Sequence, residues 1–340
     1  MRTSSSLITV LFGGLVLLCL SQSSSPSSSS WLRRQQLPPA HNSVVLITGC
    51  DTGFGSLATT VLSRAGYKVV ASCLTVEGCQ RLHDVAALTV QCDVSRDGDV
   101  ANLAQATEAY LASDRLLRLW CVVNNAGIAP LGYVDWLRMD TFRRVMDVNY
   151  FGLVAVTKQC LPLLKRTRGS RVINISSVAG LSGLPMFGAY AASKHAVEGF
   201  SKCLRQELRP WGIKVANVNP AFMKTPMVLD SPPKTLEEFL AADQAVARQY
   251  EEVEAKLRAV ATPLEVGEGP EVVVDMILRL VQAPDPALVN FTGLQAAALR
   301  FFLLLPAAVQ EFFLGKIALY APSAATLASI QGPPEGAEQK

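Results

Sequence analysis

Histidine is scarce in this chain, and cysteine, though present, follows no ligand pattern. The three histidines, His41, His83 and His195, are scattered without H-x-x-x-H spacing, and the eight cysteines include no C-x-x-C pair. Neither a protein-built zinc site nor a disulfide frame is expected from such spacing. Cys92 and Cys121 fall in or beside strand-like runs and read as small buried hydrophobes. Charge is sparse as well. Only 17% of residues are charged and the formal net charge is +3, which argues against a nucleic-acid binder held by a basic surface. The apolar run at Leu7–Leu20 is 14 residues long. As a helix it would reach roughly 21 Å, short of the ~30 Å hydrocarbon core of a bilayer.

That length suits the core of a signal peptide, and the SQSSSPSSSS stretch behind it reads as a flexible linker. Residues 1–30 are therefore expected to be a targeting or anchoring segment, with the endoplasmic reticulum favoured. Arg33 and Arg34, with no acidic residue before Asp51, keep mitochondrial import open as the alternative. The folded catalytic region is expected over residues 43–295, followed by an apolar extension over 296–330 and a disordered Pro/Gly/Glu-rich tail over 331–340.

Half of the residues are hydrophobic, and short apolar runs alternate with helical periodicity from Val44 onward. Strands are expected at Val44–Thr48, Tyr67–Leu74, Thr89–Asp93, Leu119–Val123, Arg171–Ile175 and Ile213–Val218, with a last edge strand at Leu288–Phe291. Met139–Arg166 carries helical periodicity with Asn149 inside it, where Asn is a poor interior residue and hints at a kink or a polar site. Leu236–Val260 reads as a charged helix over the substrate pocket, and Glu271–Val281 as another helix. The alternation predicts an α/β fold with a doubly wound, Rossmann-type parallel sheet in a single domain, its ligands at the carboxyl ends of the strands.

The first strand runs into Thr48-Gly49-Cys50-Asp51-Thr52-Gly53-Phe54-Gly55 and then a helix. Glycines there allow a tight turn and close backbone approach, and the helix start offers N–H groups to a pyrophosphate. Asp93, after the third strand, suits either an acceptor for an adenine amino group or a helix N-cap. Asn125, Ala126 and Gly127 close the fourth strand as a cofactor-lining loop or a plain turn. At the end of the second strand stand Ser72-Cys73-Leu74, with no Arg to meet a 2′-phosphate and no Asp to read a ribose. The expectation is NAD, by a modest margin, with NADP possible.

The centre of the chain is Arg171–Lys194. Ser176 and Ser177 end a strand, a Gly-rich loop follows, and Tyr190 and Lys194 then stand at i and i+4 of a helix, hence on one face. A free phenol titrates near roughly 10 and needs a fall of about 2–3 units to act as a base near neutrality. One nearby cation supplies about 1–3 units, so Lys194 barely suffices and an oxidised nicotinamide would close the gap.

Taken in order, T-G-x-x-x-G-x-G, N-N-A-G, an Asn in the fourth crossover, a Ser before the Tyr, and Y-x-x-x-K resemble the short-chain dehydrogenase/reductase family over Val44–Met227. The TGCDTGFG wording resembles a branch holding membrane-associated retinol and hydroxysteroid dehydrogenases and a mitochondrial 3-hydroxybutyrate dehydrogenase. The resemblance implies an NAD(P)-dependent oxidoreductase with Tyr190 as general base and Lys194 lowering its pKa and holding the nicotinamide ribose. Ser177 would orient the substrate oxygen, and Asn149 would hold a relay water. Thr48, Gly49, Gly53, Phe54, Gly55, Asp93, Asn125, Ala126, Gly127, Tyr190, Lys194, Pro220 and Thr225 would line the cofactor. The family's P-G-x-x-x-T appears as Pro220-Ala221-Phe222-Met223-Lys224-Thr225, and Ala in place of Gly restricts φ near the nicotinamide.

The expected reaction is hydride transfer between NAD(P) and a lipophilic secondary or allylic alcohol, a retinoid or hydroxysteroid. A 3-hydroxybutyrate dehydrogenase, with Lys224 or Arg143 meeting the acid, is one alternative; a catalytically silent NAD(P)-binding sensor or scaffold is another. The apolar stretch Leu294–Tyr320, broken at Pro306, reads either as a membrane-facing rim or as a core-packed or homo-oligomer surface.

Overall fold

Apolar runs flanked by helical segments on both sides can bury both faces only in a parallel sheet. The chain folds that way. In the computed structural model, which describes residues 37–225, 227 and 267–317, seven strands pair in parallel. They are β1 (Ser43–Thr48), β2 (Lys68–Cys73), β3 (Leu88–Gln91), β4 (Arg118–Asn124), β5 (Arg171–Ile175), β6 (Lys214–Pro220) and β7 (Val289–Thr292). Their order, β3-β2-β1-β4-β5-β6-β7, reverses direction between β1 and β4. That switch point opens a crevice at the carboxyl ends of the central strands.

The helices are α1 (Gly53–Arg64), α2 (Val76–Leu82), α3 (Asp97–Ala112), α4 (Met139–Met146), α5 (Leu153–Lys165), α6 (Gly188–Leu208), α7 (Glu271–Gln282), α8 (Leu294–Phe302) and α9 (Ala307–Ile317). Side chains alternate across each strand, and the core divides accordingly. Val45, Ile47, Val69 and Ala71 pack with Ala58 and Leu62 of α1 and Ile277 and Leu280 of α7. The intervening Val44, Leu46 and Val70 pack with Leu103 of α3, Val156 and Leu164 of α5 and Leu204 of α6. Truncating any of these fully buried leucines to Ala would cost about 2–5 kcal/mol.

Strand bounds shift by one or two residues from the sequence expectation, and the long Met139–Arg166 helix is interrupted. Between α4 and α5, Asp147–Gly152 forms a π-helical turn with Asn149 buried inside it. Asp93 is not the N-cap of α3, a place held by Arg96. It instead accepts from the N–H and hydroxyl of Ser95, at 3.0 and 2.6 Å. Residues 1–36, the Leu236–Val260 helix and the 331–340 tail lie outside the described residues.

Arg171, at the start of β5, is 1% exposed and has no carboxylate partner among the described residues. Its guanidinium lies 4.1 Å from the Trp120 ring centroid and donates to the carbonyls of Leu280, Ala283 and Gly169. It thereby caps the carboxyl end of α7 and fastens that helix to the sheet. The seven described cysteines are all free, and burial pushes the Cys121 thiol up to about 12 and Cys92 up to about 11. Both are the inert, buried residues expected.

At the other end of the chain, α8 and α9 leave Phe301, Leu304 and Phe312 well exposed, at 72%, 78% and 59%. Among the described residues no helix is long and apolar enough to cross a membrane.

Candidate active site

The β1–α1 loop builds one wall of the crevice. Gly49 has φ +69°, and a Cβ there would lie 2.7 Å from Ala126 Cα. A Cβ on Gly55 would lie 2.3 Å from the Gly49 carbonyl oxygen. Thr48 joins this loop to the end of β4: its hydroxyl accepts from the N–H groups of Asn125 and Ala126, each at 3.1 Å. The Asn125 amide returns two bonds, to the carbonyls of Thr48 and Gly49 at 2.8 and 2.9 Å. Backbone therefore lines the crevice where side chains would otherwise fill it, which is the surface a dinucleotide pyrophosphate needs.

Gly49, Gly53, Phe54, Asp93, Asn125, Ala126, Gly127, Tyr190, Lys194, Pro220 and Thr225 all line that crevice. Thr48 and Gly55 stand behind it and shape it. Ala221, in place of the family's glycine, does not take a left-handed backbone: Met186 is the only described non-glycine residue that does. Thr225 is buried in the crevice wall.

Asp93 is held below the ordinary carboxylate value; burial opposes this, but the Ser95 hydrogen bonds, with Arg144 and Arg96 nearby, outweigh it. Arg144 itself lines the crevice. So does Asp51, which sequence reasoning passed over as a loop residue. Its side chain crosses to the end of β2 and accepts from the N–H groups of Leu74 and Thr75 at 2.7 and 3.0 Å. A carboxylate thus reaches the end of β2 from a different segment, and only tertiary contact reveals it.

Strand β5 delivers Ser177 and α6 delivers Tyr190 and Lys194 to the same wall. The Ser177 hydroxyl accepts from the Ala179 N–H at 3.1 Å and donates to the Pro220 carbonyl at 3.5 Å. Burial pushes Tyr190 up to about 12, with Ser177 working the other way. The Lys194 ammonium donates to the Ile175 carbonyl at 2.8 Å and lies 5.5 Å from the phenol ring centroid. Burial pushes it down to about 8, opposed by Glu198. Desolvation is thus the larger influence on the phenol, and Lys194 by itself does not offset it.

Asn149 is spent on structure. Its amide donates to the Ile128 carbonyl and the Ser193 hydroxyl at 2.9 and 3.0 Å, and its oxygen accepts from the Ile128 N–H at 2.8 Å.

Glu198, one turn beyond Lys194, was also missed. It is 2% exposed and accepts from the Asn219 amide at 2.6 Å, while the same amide donates to the Ser177 carbonyl at 3.2 Å. This link joins α6, β6 and the end of β5.

A second cavity opens off the crevice at Ser177 and Tyr190. Phe187 stacks edge-on against Phe222 at 6.0 Å and against Tyr190 at 6.3 Å. With Leu131, Leu184 and Met227 they give it an apolar wall, and no charged side chain stands among its described lining residues.

A glycine-walled crevice at a parallel-sheet switch point, with a phenol, a hydroxyl and an ammonium at one end, defines a nicotinamide-dependent oxidoreductase. The short chain dehydrogenase family model matches residues 43–235, and the chain belongs to that family. It is 36% identical over 294 residues to dehydrogenase/reductase SDR family member 9 of Bos taurus, covering 80% of this chain and 87% of that one. It is 42% identical over 208 residues to human retinol dehydrogenase 5, covering 60% and 64%. It is 39% identical over 187 residues to 17-beta-hydroxysteroid dehydrogenase type 6 of Bos taurus, covering 54% and 57%. The last two matches span less than two thirds of those relatives.

Proposed function

We propose that this protein catalyses the reversible oxidation of a lipophilic secondary or allylic alcohol, a retinoid or hydroxysteroid, with NAD preferred over NADP. The observation that carries this reading is the second cavity, whose described wall is aromatic and aliphatic up to the Ser177 and Tyr190 hydroxyls. A water-insoluble alcohol gains there by burying apolar surface, at about 25 cal/mol per Å2. A hydroxy acid would need a cation, and neither Lys224 nor Arg143 is among the lining residues. The names of the retinol and hydroxysteroid dehydrogenase relatives support the same class.

In this reading Tyr190 takes the hydroxyl proton and Ser177 holds the oxygen. Lys194 would hold the nicotinamide ribose, Thr225 would meet the carboxamide, and Asn149 would support a relay water. When bound, NAD accepts the hydride. The protein's own contribution is to orient the carbinol carbon, exclude water and receive the proton at the phenol oxygen. Association with the endoplasmic-reticulum membrane belongs to the same proposal, supported by the exposed Phe301, Leu304 and Phe312 and by the Leu7–Leu20 run.

The test is the purified full chain, supplied with NAD or NADP, screened against retinol, a hydroxysteroid and 3-hydroxybutyrate in detergent micelles. Turnover of the lipophilic alcohols alone is expected. Turnover of 3-hydroxybutyrate with neither of the others would overturn the reading.

A further inference from the structure

We infer that Asp51 is the residue that discriminates NAD from NADP, because its carboxylate occupies the seat that a 2′-phosphate would need. This rests on the dinucleotide reading above and deepens it.

In dinucleotide-binding sheets the end of the second strand meets the adenosine ribose, and there the presence or absence of a 2′-phosphate is read. Here that strand end is Cys73-Leu74-Thr75, and sequence alone offers no acid or base there. The Asp51 carboxylate fills the gap from the β1–α1 loop. Oδ2 accepts from the Leu74 N–H at 2.7 Å, and Oδ1 accepts from the Thr75 N–H at 3.0 Å and the Thr75 hydroxyl at 2.7 Å. Asp51 and Leu74 both line the cofactor crevice.

Two consequences follow from that placement. The two N–H groups and one hydroxyl that a phosphate monoester would use at this turn already donate to a carboxylate, so an incoming 2′-phosphate finds fewer donors. It also meets a fixed negative charge with a low-dielectric wall behind it. A ribose with a free 2′-hydroxyl is itself a donor, and an ionised carboxylate has about four acceptor positions, so NAD can bond where NADP is repelled.

The neighbouring chain is shaped to admit this carboxylate. A Cβ on Gly78 would lie 2.4 Å from Asp51 Oδ1, so the close approach needs glycine there. The cation nearest to Asp51 in the hydrogen-bond network, Arg81, donates to the Asp51 backbone carbonyl at 2.9 Å. It is not among the crevice-lining residues, and its donation is spent on that carbonyl.

A carboxylate that merely ties the loop to β2 would affect both cofactors alike, whereas a discriminating one changes their ratio. The experiment titrates the full chain, wild type, Asp51→Asn and Asp51→Ser, with NADH and with NADPH by fluorescence, without alcohol substrate, at low and high salt. Wild type is expected to bind NADH at least about tenfold more tightly, the gap narrowing at high salt as repulsion is screened. Asp51→Asn should cut the ratio about tenfold. Asp51→Ser, which also frees the Leu74 and Thr75 N–H groups, should raise NADPH affinity outright. A ratio unchanged in both variants, or parallel weakening of both cofactors, overturns the inference while leaving the dinucleotide site intact. So does a wild-type preference for NADPH, or, should neither variant fold, a wild-type ratio indifferent to salt. A wild type that binds neither dinucleotide overturns the underlying reading as well.

Discussion

Lys194→Met should give a protein that is more stable than wild type near neutrality and inactive. The lysine is 4% exposed, and burial pushes its ammonium from 10.5 down to about 8, a figure that already includes the opposing attraction of Glu198. At about 1.4 kcal/mol per pKa unit, keeping it charged costs the folded state on the order of 3 kcal/mol at pH 7. Met of similar length removes that cost and leaves the buried Ile175 carbonyl without this donor, at about 1–3 kcal/mol. The net gain is up to about 2 kcal/mol. Its pH dependence has a definite sign. Because the folded value lies below the unfolded one, the penalty is fully present below about pH 8 and is relieved as pH rises from about 8 to 10.5. Wild type therefore gains on the variant through that window. Urea unfolding of both proteins at pH 7 and pH 10 measures this, beside NADH titration to show the lost cofactor contact. A variant less stable than wild type at pH 7, by a margin that does not change with pH, would refute the reasoning.

Tyr190→Phe should lose nearly all turnover while NADH affinity stays within a few-fold; retained turnover means another group takes the proton. Glu198→Gln removes the one charge that holds the Lys194 pKa up, so NADH affinity should begin to fall at lower pH than in wild type, and an unchanged pH profile refutes the link. Arg171→Met strands the carbonyls of Leu280, Ala283 and Gly169, at about 1–3 kcal/mol for each one left buried and unpaired. Its urea midpoint should drop accordingly, and a midpoint equal to wild type would mean the carbonyls find other partners.

What the sequence revealed and what it hid divide along a physical line. Elements set by local chemistry were legible: the strands as apolar runs, the Gly49–Gly55 loop, the Tyr190/Lys194 pair on one helical face. Asn149 announced itself by being wrong for a helix interior, and the chain answers with a π turn. Asp51, Glu198 and Arg171 were illegible because their roles depend on partners far along the chain. Asp51 bonds across 23 residues, Glu198 across 21 and Arg171 across 109 and 112. In the sequence each looks like an ordinary polar residue. The desolvation of Tyr190 was illegible for a related reason: spacing identifies a neighbouring cation but not the burial of the pocket, which pushes the phenol up.

Three of the ionisable residues of α6 account for one another. Tyr190, Lys194 and Glu198 recur every fourth residue and so stack along one face. Burial pushes the first two toward their neutral forms, the phenol up to about 12 and the ammonium down to about 8. Bringing the phenol from there to neutrality takes on the order of 7 kcal/mol, more than one cation supplies at about 1–3 units. Lys194 is already in place, with its proton-bearing nitrogen turned to the Ile175 carbonyl. A second positive charge, such as an oxidised nicotinamide, would supply the remaining lowering and would also disfavour the proton on Lys194. Glu198, buried and held at 2.6 Å by Asn219, would offset that second effect by its attraction for the ammonium.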